Sequence, residues 1–111
     1  MFLTKEIEKQ LPDYNEYKAG YPIKPDTKVP LKFFNPTGAA TWYIVAYDRA
    51  HQIFYGYADL FGDGQGEWGE MTREELEFTP VRMGLMIERD CHWQTKTVAE
   101  LEAAGRVRAF A

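Results

Sequence analysis

Two extended apolar runs, Thr41 to Tyr47 and Gln52 to Ala58, stand four residues apart in this chain, separated by Asp48-Arg49-Ala50-His51. Runs of this length, rich in aromatic and β-branched residues and joined by so short a polar connection, pair as an antiparallel hairpin. Alternation along the first run sends Trp42, Ile44 and Ala46 to one face and Tyr43, Val45 and Tyr47 to the other. Both faces are apolar, whereas a sheet with one wet face would alternate apolar with polar. A chain of 111 residues buries one core but not two. One face is therefore expected to be that core. The tyrosine face is expected to be covered by residues 13–28, by a helix or by a partner, and cover from within the chain is the simplest of these.

Local signals give the other elements. Thr4 is placed to cap a short helix from Lys5 to about Leu11, with Ile7 and Leu11 one turn apart as its buried stripe and Pro12 as its stop. Residues 13–28 hold Gly20, Pro22 and Pro25 and read as a surface loop, from which Tyr14, Tyr17 and Tyr21 pack back onto the body. Leu31-Lys32-Phe33-Phe34 reads as a strand closed by the turn Asn35-Pro36-Thr37-Gly38. Val81 to Ile87 reads as a further strand, and Glu67 to Met71 as a short additional one. Two capping boxes, Thr72-Arg73-Glu74-Glu75 and Thr97-Val98-Ala99-Glu100, each start a helix. Pro80 holds the first to under two turns, and Gly105 can end the second in the left-handed conformation. The expected fold is α+β, one domain over residues 1–111. It has an antiparallel sheet of four to five strands, a short N-terminal helix, a short capped helix near 73–78 and a C-terminal helix.

Net charge is −4, but its placement is uneven: residues 59–80 carry seven carboxylates and only Arg73, leaving the rest of the chain at +2. Such a segment repels phosphate backbones and attracts cations or basic partners. No basic stripe is present, which argues against direct nucleic-acid binding. No run approaches the length of a transmembrane helix, so no membrane partner is expected. The single cysteine, Cys91, excludes an internal disulfide, and Met1-Phe2-Leu3-Thr4-Lys5-Glu6 lacks the basic-then-apolar pattern of a signal peptide. The cytoplasm is the expected compartment.

The order of short motifs is distinctive. Leu3-Thr4-Lys5-Glu6, Leu11-Pro12, Lys32-Phe33-Phe34-Asn35-Pro36 and Thr41-Trp42-Tyr43 come first, then Tyr47-Asp48, Tyr55-Gly56 and Glu67-Trp68-Gly69-Glu70. Glu75-Leu76 and Gly84-Leu85-Met86-Ile87-Glu88-Arg89-Asp90 complete the string. It resembles the bacterial family catalogued as domain of unknown function 2958 over nearly the whole chain. The resemblance implies a small stand-alone protein of the kind often found on plasmids, phages and other mobile elements. It supplies no catalytic residues. The glycine-rich Gly62-Asp63-Gly64-Gln65-Gly66 departs from the family pattern like an insertion.

Three constellations bear on chemistry. Read from Asp59, the acidic loop partly fits a calcium-loop template, with Asp63 fifth, Gly64 sixth, the Gln65 carbonyl seventh, Glu67 ninth and Glu70 twelfth. Phe61 stands where a third ligand belongs, and a strand rather than a helix enters the loop, so a solvated hairpin connection is the plainer reading. In Glu88-Arg89-Asp90 the two acids share one side of an extended segment and Arg89 takes the other, which suits either a cation or an arginine pinned between carboxylates. Cys91, His92 and His51 lack the spacing of a zinc site and the third group of a nucleophilic triad. No cofactor motif is complete, and no metal is expected.

The leading expectation is a non-catalytic interaction module, with an anti-restriction or other defence-related setting. Its acidic 59–77 surface, comprising Asp59, Asp63, Glu67, Glu70, Glu74 and Glu77, would meet a protein partner with a basic surface. The alternative is a metal-dependent hydrolase or nuclease using Asp59, Glu67, Glu88 and Asp90, which requires these four carboxylates to converge. A face of Tyr43, Tyr47, Tyr55 and Tyr57 is a further candidate contact surface.

Overall fold

The computed structural model of the chain describes residues 2–15, 23–79 and 85–108. In chain order these form α1 (Lys5–Gln10), β1 (Lys28–Val29), β2 (Leu31–Phe34), β3 (Thr41–Asp48) and β4 (Ile53–Asp59). Then come β5 (Glu67–Thr72), α2 (Arg73–Phe78), β6 (Glu88–Arg89), β7 (Lys96–Thr97) and α3 (Val98–Ala103). A five-stranded antiparallel sheet runs β5-β4-β3-β2-β6, and β1 pairs with β7 in a small second sheet. The fold is α+β, as the sequence predicts.

The hairpin at 41–58 forms, but its alternation is broken. Ile44 pairs with Gly56 and Ala46 with Tyr55, so Val45 is an extra residue, a β-bulge, with no partner on β4. The bulge resets the two-residue phase. Trp42, Ile44 and Tyr47 enter one apolar cluster, while Tyr43, Val45 and Ala46 enter the other. The expected faces are thus corrected at Ala46 and Tyr47. Gly56 lies opposite the irregularity, where a Cβ would stand 2.1 Å from the Tyr43 carbonyl oxygen, so only glycine lets the strands approach there.

Both faces are covered from within the chain. The first cluster joins Phe33, Trp42, Ile44, Tyr47, Phe54 and Met71 to Leu3 and Leu11 flanking α1 and to Leu76 of α2. Phe2 stacks on Phe33 with centroids 4.2 Å apart, and Phe33 meets Phe54 edge-on at 5.4 Å. Arg49, in the β3–β4 turn, donates to the Glu8 and Leu11 carbonyls and so ties down the end of α1. The second cluster packs Tyr43, Val45, Ala46 and Tyr57 against Tyr14, Val98, Leu101 and Val107. The face left open between loop, helix and partner is therefore closed chiefly by α3, the segment after it and Tyr14.

The capping signals hold to different degrees. Thr4 accepts from the Ile7 amide, and Thr97 with Glu100 forms the full reciprocal box. At α2, Thr72 accepts from the Glu75 amide, which is half of that arrangement. Gly105, at φ 74°, ends α3 in the left-handed conformation. Of the strand expected at Val81 to Ile87, only Leu85 to Ile87 are described and they belong to none of the strands, the sheet's edge being Glu88–Arg89, paired with β2. Val81 to Gly84, Pro80, Tyr17 and Tyr21 lie outside the described residues. Among the described residues no helix is long and apolar enough to cross a membrane.

Trp42, 9% exposed in the first cluster, anchors the hairpin to that core. Trp42→Ala is expected to cost about 3 kcal/mol in urea unfolding. A loss below about 1 kcal/mol would show that the ring does not belong to the core.

Candidate functional site

The β4–β5 loop is built around one buried carboxylate. Asp59, 4% exposed, accepts from the Gly62 amide at 2.9 Å through one oxygen and from the Gly64 amide at 2.9 Å through the other. Gly62 and Gly64 adopt φ of 69° and 78°, a region that disfavours residues with a Cβ, so the glycine run serves the turn. Tyr57 donates its hydroxyl to the Gly64 carbonyl at 2.7 Å and accepts from the Arg108 amide at 3.1 Å. The loop is thereby clamped between the sheet and the C-terminal segment. Asp63 accepts from the Gln65 amide at 2.9 Å.

These bonds occupy the oxygens that the calcium template needs. Asp59 turns inward to amides, and Glu70 accepts from the Tyr14 hydroxyl at 2.7 Å. Among the described residues no group of three or more His, Cys, Asp or Glu side chains is arranged to hold a metal ion. The hydrolase constellation also scatters. Asp59 pairs with Thr41, Thr41 with Phe34, and Phe34 with Glu88, so Asp59 and Glu88 stand three strand spacings apart, roughly 14 Å. Glu67 is one strand farther from Glu88, while Asp90 is bound to Lys32 at 3.5 Å and to the His92 amide at 2.9 Å. The shared centre that the hydrolase reading requires is absent.

The acidic segment is likewise not one patch. Glu67 and Glu70 lie on opposite faces of β5, opposite Ala58 and Tyr55 respectively. Glu74 and Glu77 sit on α2, beyond the other end of β5 and roughly 17 Å along the strand from the loop. Glu77 is paired with Arg73 at 3.0 Å. Asp63, Glu67, Glu70 and Glu74 are exposed, but Asp59 is buried and belongs to the loop's interior.

The tyrosines do not form a common face. Tyr47 points into the first cluster, Tyr43 and Tyr57 are buried in the second, and Tyr55 is half-buried under Tyr14, with ring centroids 5.0 Å apart. Glu88 and Arg89 do face opposite sides, and the Arg89 Nε is buried with no hydrogen-bond partner among the described residues, so that atom takes part in no carboxylate clamp there. His51 caps its own turn, its Nδ1 lying 2.8 Å from buried Asp48, while Cys91 is exposed in a different turn.

Two residues stand out that the motif reading passed over. Leu60 and Phe61, at the head of the clamped loop, are 59% and 81% exposed. Phe61 enters the calcium template only as a missing ligand; its other signal is a pair of large apolar residues directly after a strand-ending aspartate and before a glycine run. Together with Ala58, Gln65, Gly66 and Glu67 they line a shallow depression at the sheet's end.

Against this geometry, the family model described as protein of unknown function (DUF2958) matches residues 2–106, and the chain belongs to that family. No curated protein and no solved structure shows significant similarity to it.

Two predictions follow from the site's hydrogen bonds. Asp59→Ala strands the Gly62 and Gly64 amides and is expected to cost about 2–3 kcal/mol, with faster amide exchange confined to the 60–66 loop; unchanged exchange there would show that the carboxylate is not its anchor. Burial, reinforced by Glu70, raises the Tyr14 pKa above 10.0; burial also raises Tyr43 and, again with Glu70, Tyr55. The folded protein holds these protons more tightly than the unfolded chain. Their stabilisation is complete below about pH 10 and lost as pH rises through the folded values. Urea midpoints are expected to fall as the pH rises above about 10, and to fall less steeply in Tyr14→Phe. Equal slopes in both proteins would exclude Tyr14 as a contributor.

Proposed function

We propose that this family member is a non-catalytic interaction module that meets a basic partner surface through its acidic 59–77 segment, with Phe61 as the apolar anchor. The observation that carries the reading is the exposure of Phe61, at 81%, on a loop whose backbone is held by Asp59 and Tyr57. A large aromatic held out in water by a rigid loop does nothing for the chain's own core, and such side chains serve as anchors in protein contacts. Pre-organisation lowers the ordering cost of binding. Exposed Asp63 and Glu67 give the tip an acidic rim, suited to steering a basic surface toward it. Arg108 donates to the Gly66 carbonyl at 3.5 Å, so one cation stands beside the loop's backbone. Glu74 stands apart from the tip, and the charge of Glu77 is largely balanced by Arg73. In the mobile-element setting that the resemblance implies, a basic nucleic-acid-handling protein is the kind of partner such a surface fits.

Affinity capture from the host with wild type and Phe61→Ser, followed by titration against the purified captured protein, tests the reading. Phe61→Ser is expected to weaken binding by about 2 kcal/mol while stability changes by less than about 0.5 kcal/mol. Asp63→Asn with Glu67→Gln should reduce affinity less and flatten its salt dependence, and Glu74→Gln with Glu77→Gln should do so more weakly. A captured protein that binds Phe61→Ser and the Asp63/Glu67 variant as tightly as wild type at every salt concentration would overturn the proposal.

A further inference from the structure

A second recess, of about 330 Å³, opens where α3 lies over the other face of the sheet. Tyr43 forms part of its lining, and Lys32, its partner in the β2–β3 register, stands beside it on the same face. The Lys32 ammonium lies 5.5 Å from the centre of the Trp93 ring and 3.5 Å from the Asp90 carboxylate. Trp93 is fixed by its indole N–H, which donates to the Val29 carbonyl at 2.9 Å, and its ring centroid is 5.8 Å from that of Tyr43. Lys96, Leu101 and Arg106 also line the recess. Arg106 follows the left-handed Gly105, and its amide donates to the Leu101 carbonyl at 2.8 Å, which sets its position beside the recess.

Tyr43 makes this more than a dent in the surface. The residue is only 4% exposed, yet its hydroxyl has no hydrogen-bond partner among the described residues and is not sealed off from solvent. A hydroxyl that opens onto a recess and has no protein partner is available to whatever enters it, water or ligand. Neither Lys96 nor Arg106 forms a close ion pair among the described residues, although the Lys96 charge acts on the nearby Glu100 carboxyl. Three carboxylates are near, and the first, Asp59, whose charge reaches the Tyr43 hydroxyl, is bonded to the Gly62 and Gly64 amides. Asp90 is engaged by Lys32, and Glu100, which also lines the recess, accepts from the Thr97 amide and hydroxyl at 3.1 Å each. Those bonds hold the Glu100 carboxyl below its usual range, so it stays ionised and committed to the helix cap.

We propose that this recess is a binding site for a small organic anion, whose carboxylate or phosphate is taken by the Tyr43 hydroxyl, Lys96 and Arg106 while its aromatic or apolar body lies against Trp93 and Leu101. The volume is at the lower end of ligand pockets, which limits the body to about one ring. Burial raises the Tyr43 pKa, with Arg106 acting against the rise, so the hydroxyl remains a donor at neutral pH. Cation, hydroxyl donor and aromatic wall together favour an anion with a ring over a bare ion. The site is independent of the Phe61 surface and would stand if that one failed.

The test is a nuclear magnetic resonance titration of the isotope-labelled full chain with phenyl phosphate, benzoate, benzyl alcohol and inorganic phosphate, each to about 10 mM. Phenyl phosphate or benzoate is expected to give saturable shifts at the Trp93 indole N–H and the Gly105 and Arg106 amides, and the tighter of the two identifies the anionic group. Benzyl alcohol and inorganic phosphate should each bind at least about tenfold more weakly. Tyr43→Phe and Arg106→Ala should each weaken the preferred anion about tenfold. Should Tyr43→Phe not fold, Arg106→Ala, a change at an exposed position, decides alone. No saturable shift with either aromatic anion, an equal response to benzyl alcohol or inorganic phosphate, or full affinity in Arg106→Ala would overturn the proposal.

Discussion

Val45 has no partner on β4, and the division of the molecule into two cores depends on that extra residue. Without the bulge, Tyr47 would fall on the α3 side and Ala46 on the α1 side, by strict alternation from Trp42. With it, Tyr47 stacks on Phe54 at 4.6 Å inside the first cluster, and small Ala46 faces the second. The exchange puts bulk where α1 and α2 must be held off the sheet. It also leaves a thinner layer beside Val45, next to which Tyr14, Val98 and Leu101 pack. The close approach that the irregularity imposes is met by Gly56, which has no Cβ to strike the Tyr43 carbonyl.

Two buried aspartates then bracket β4, the strand that pairs with the bulged one. Asp48 accepts from the Ala50 and His51 amides at 3.1 and 3.2 Å and holds the turn into β4. Asp59 does the same for the loop out of it. Both are short side chains returning to backbone amides two to five residues on, which is the local chemistry that makes aspartate a turn former. Neither is a free charge offered to a partner. This explains how Phe61 is presented so far from the body: its loop is held from behind and needs no help from the aromatic ring.

Much of the fold was legible because its signals are local. The hairpin, the Thr97–Glu100 box, Gly105 and the Thr4 cap each act over a few residues, where sequence spacing and spatial spacing coincide. The bulge was not legible, since alternation at Thr41–Tyr47 is apolar in either phase and gives no mark of where the count slips. The same limit affected the acidic segment. Seven carboxylates in one stretch of sequence look like one field, but a strand sends Glu67 and Glu70 to opposite sides and then carries Glu74 and Glu77 away along its length. Charge density along a chain becomes charge density on a surface only if the backbone keeps it together, as a helix face or a tight loop does.

The converse holds at the recess beside α3. Lys32, Lys96 and Arg106 are separated by as many as 74 positions and make no basic stripe, so composition gives no hint of them as a group. They meet because the β2–β3 register sets Lys32 next to Tyr43 and because α3 ends at Gly105, turning Arg106 back toward the same tyrosine. A chain that is anionic overall can therefore carry a cationic pocket, and the two need not compete. Solvent screens exposed charges beyond about 8–10 Å, so the acids of the β4–β5 tip act mainly on what approaches that tip. Lys96, Arg106 and the Tyr43 hydroxyl act on what enters the recess. A distant approach responds to the net charge of the whole, and a close one to the few groups the fold has gathered.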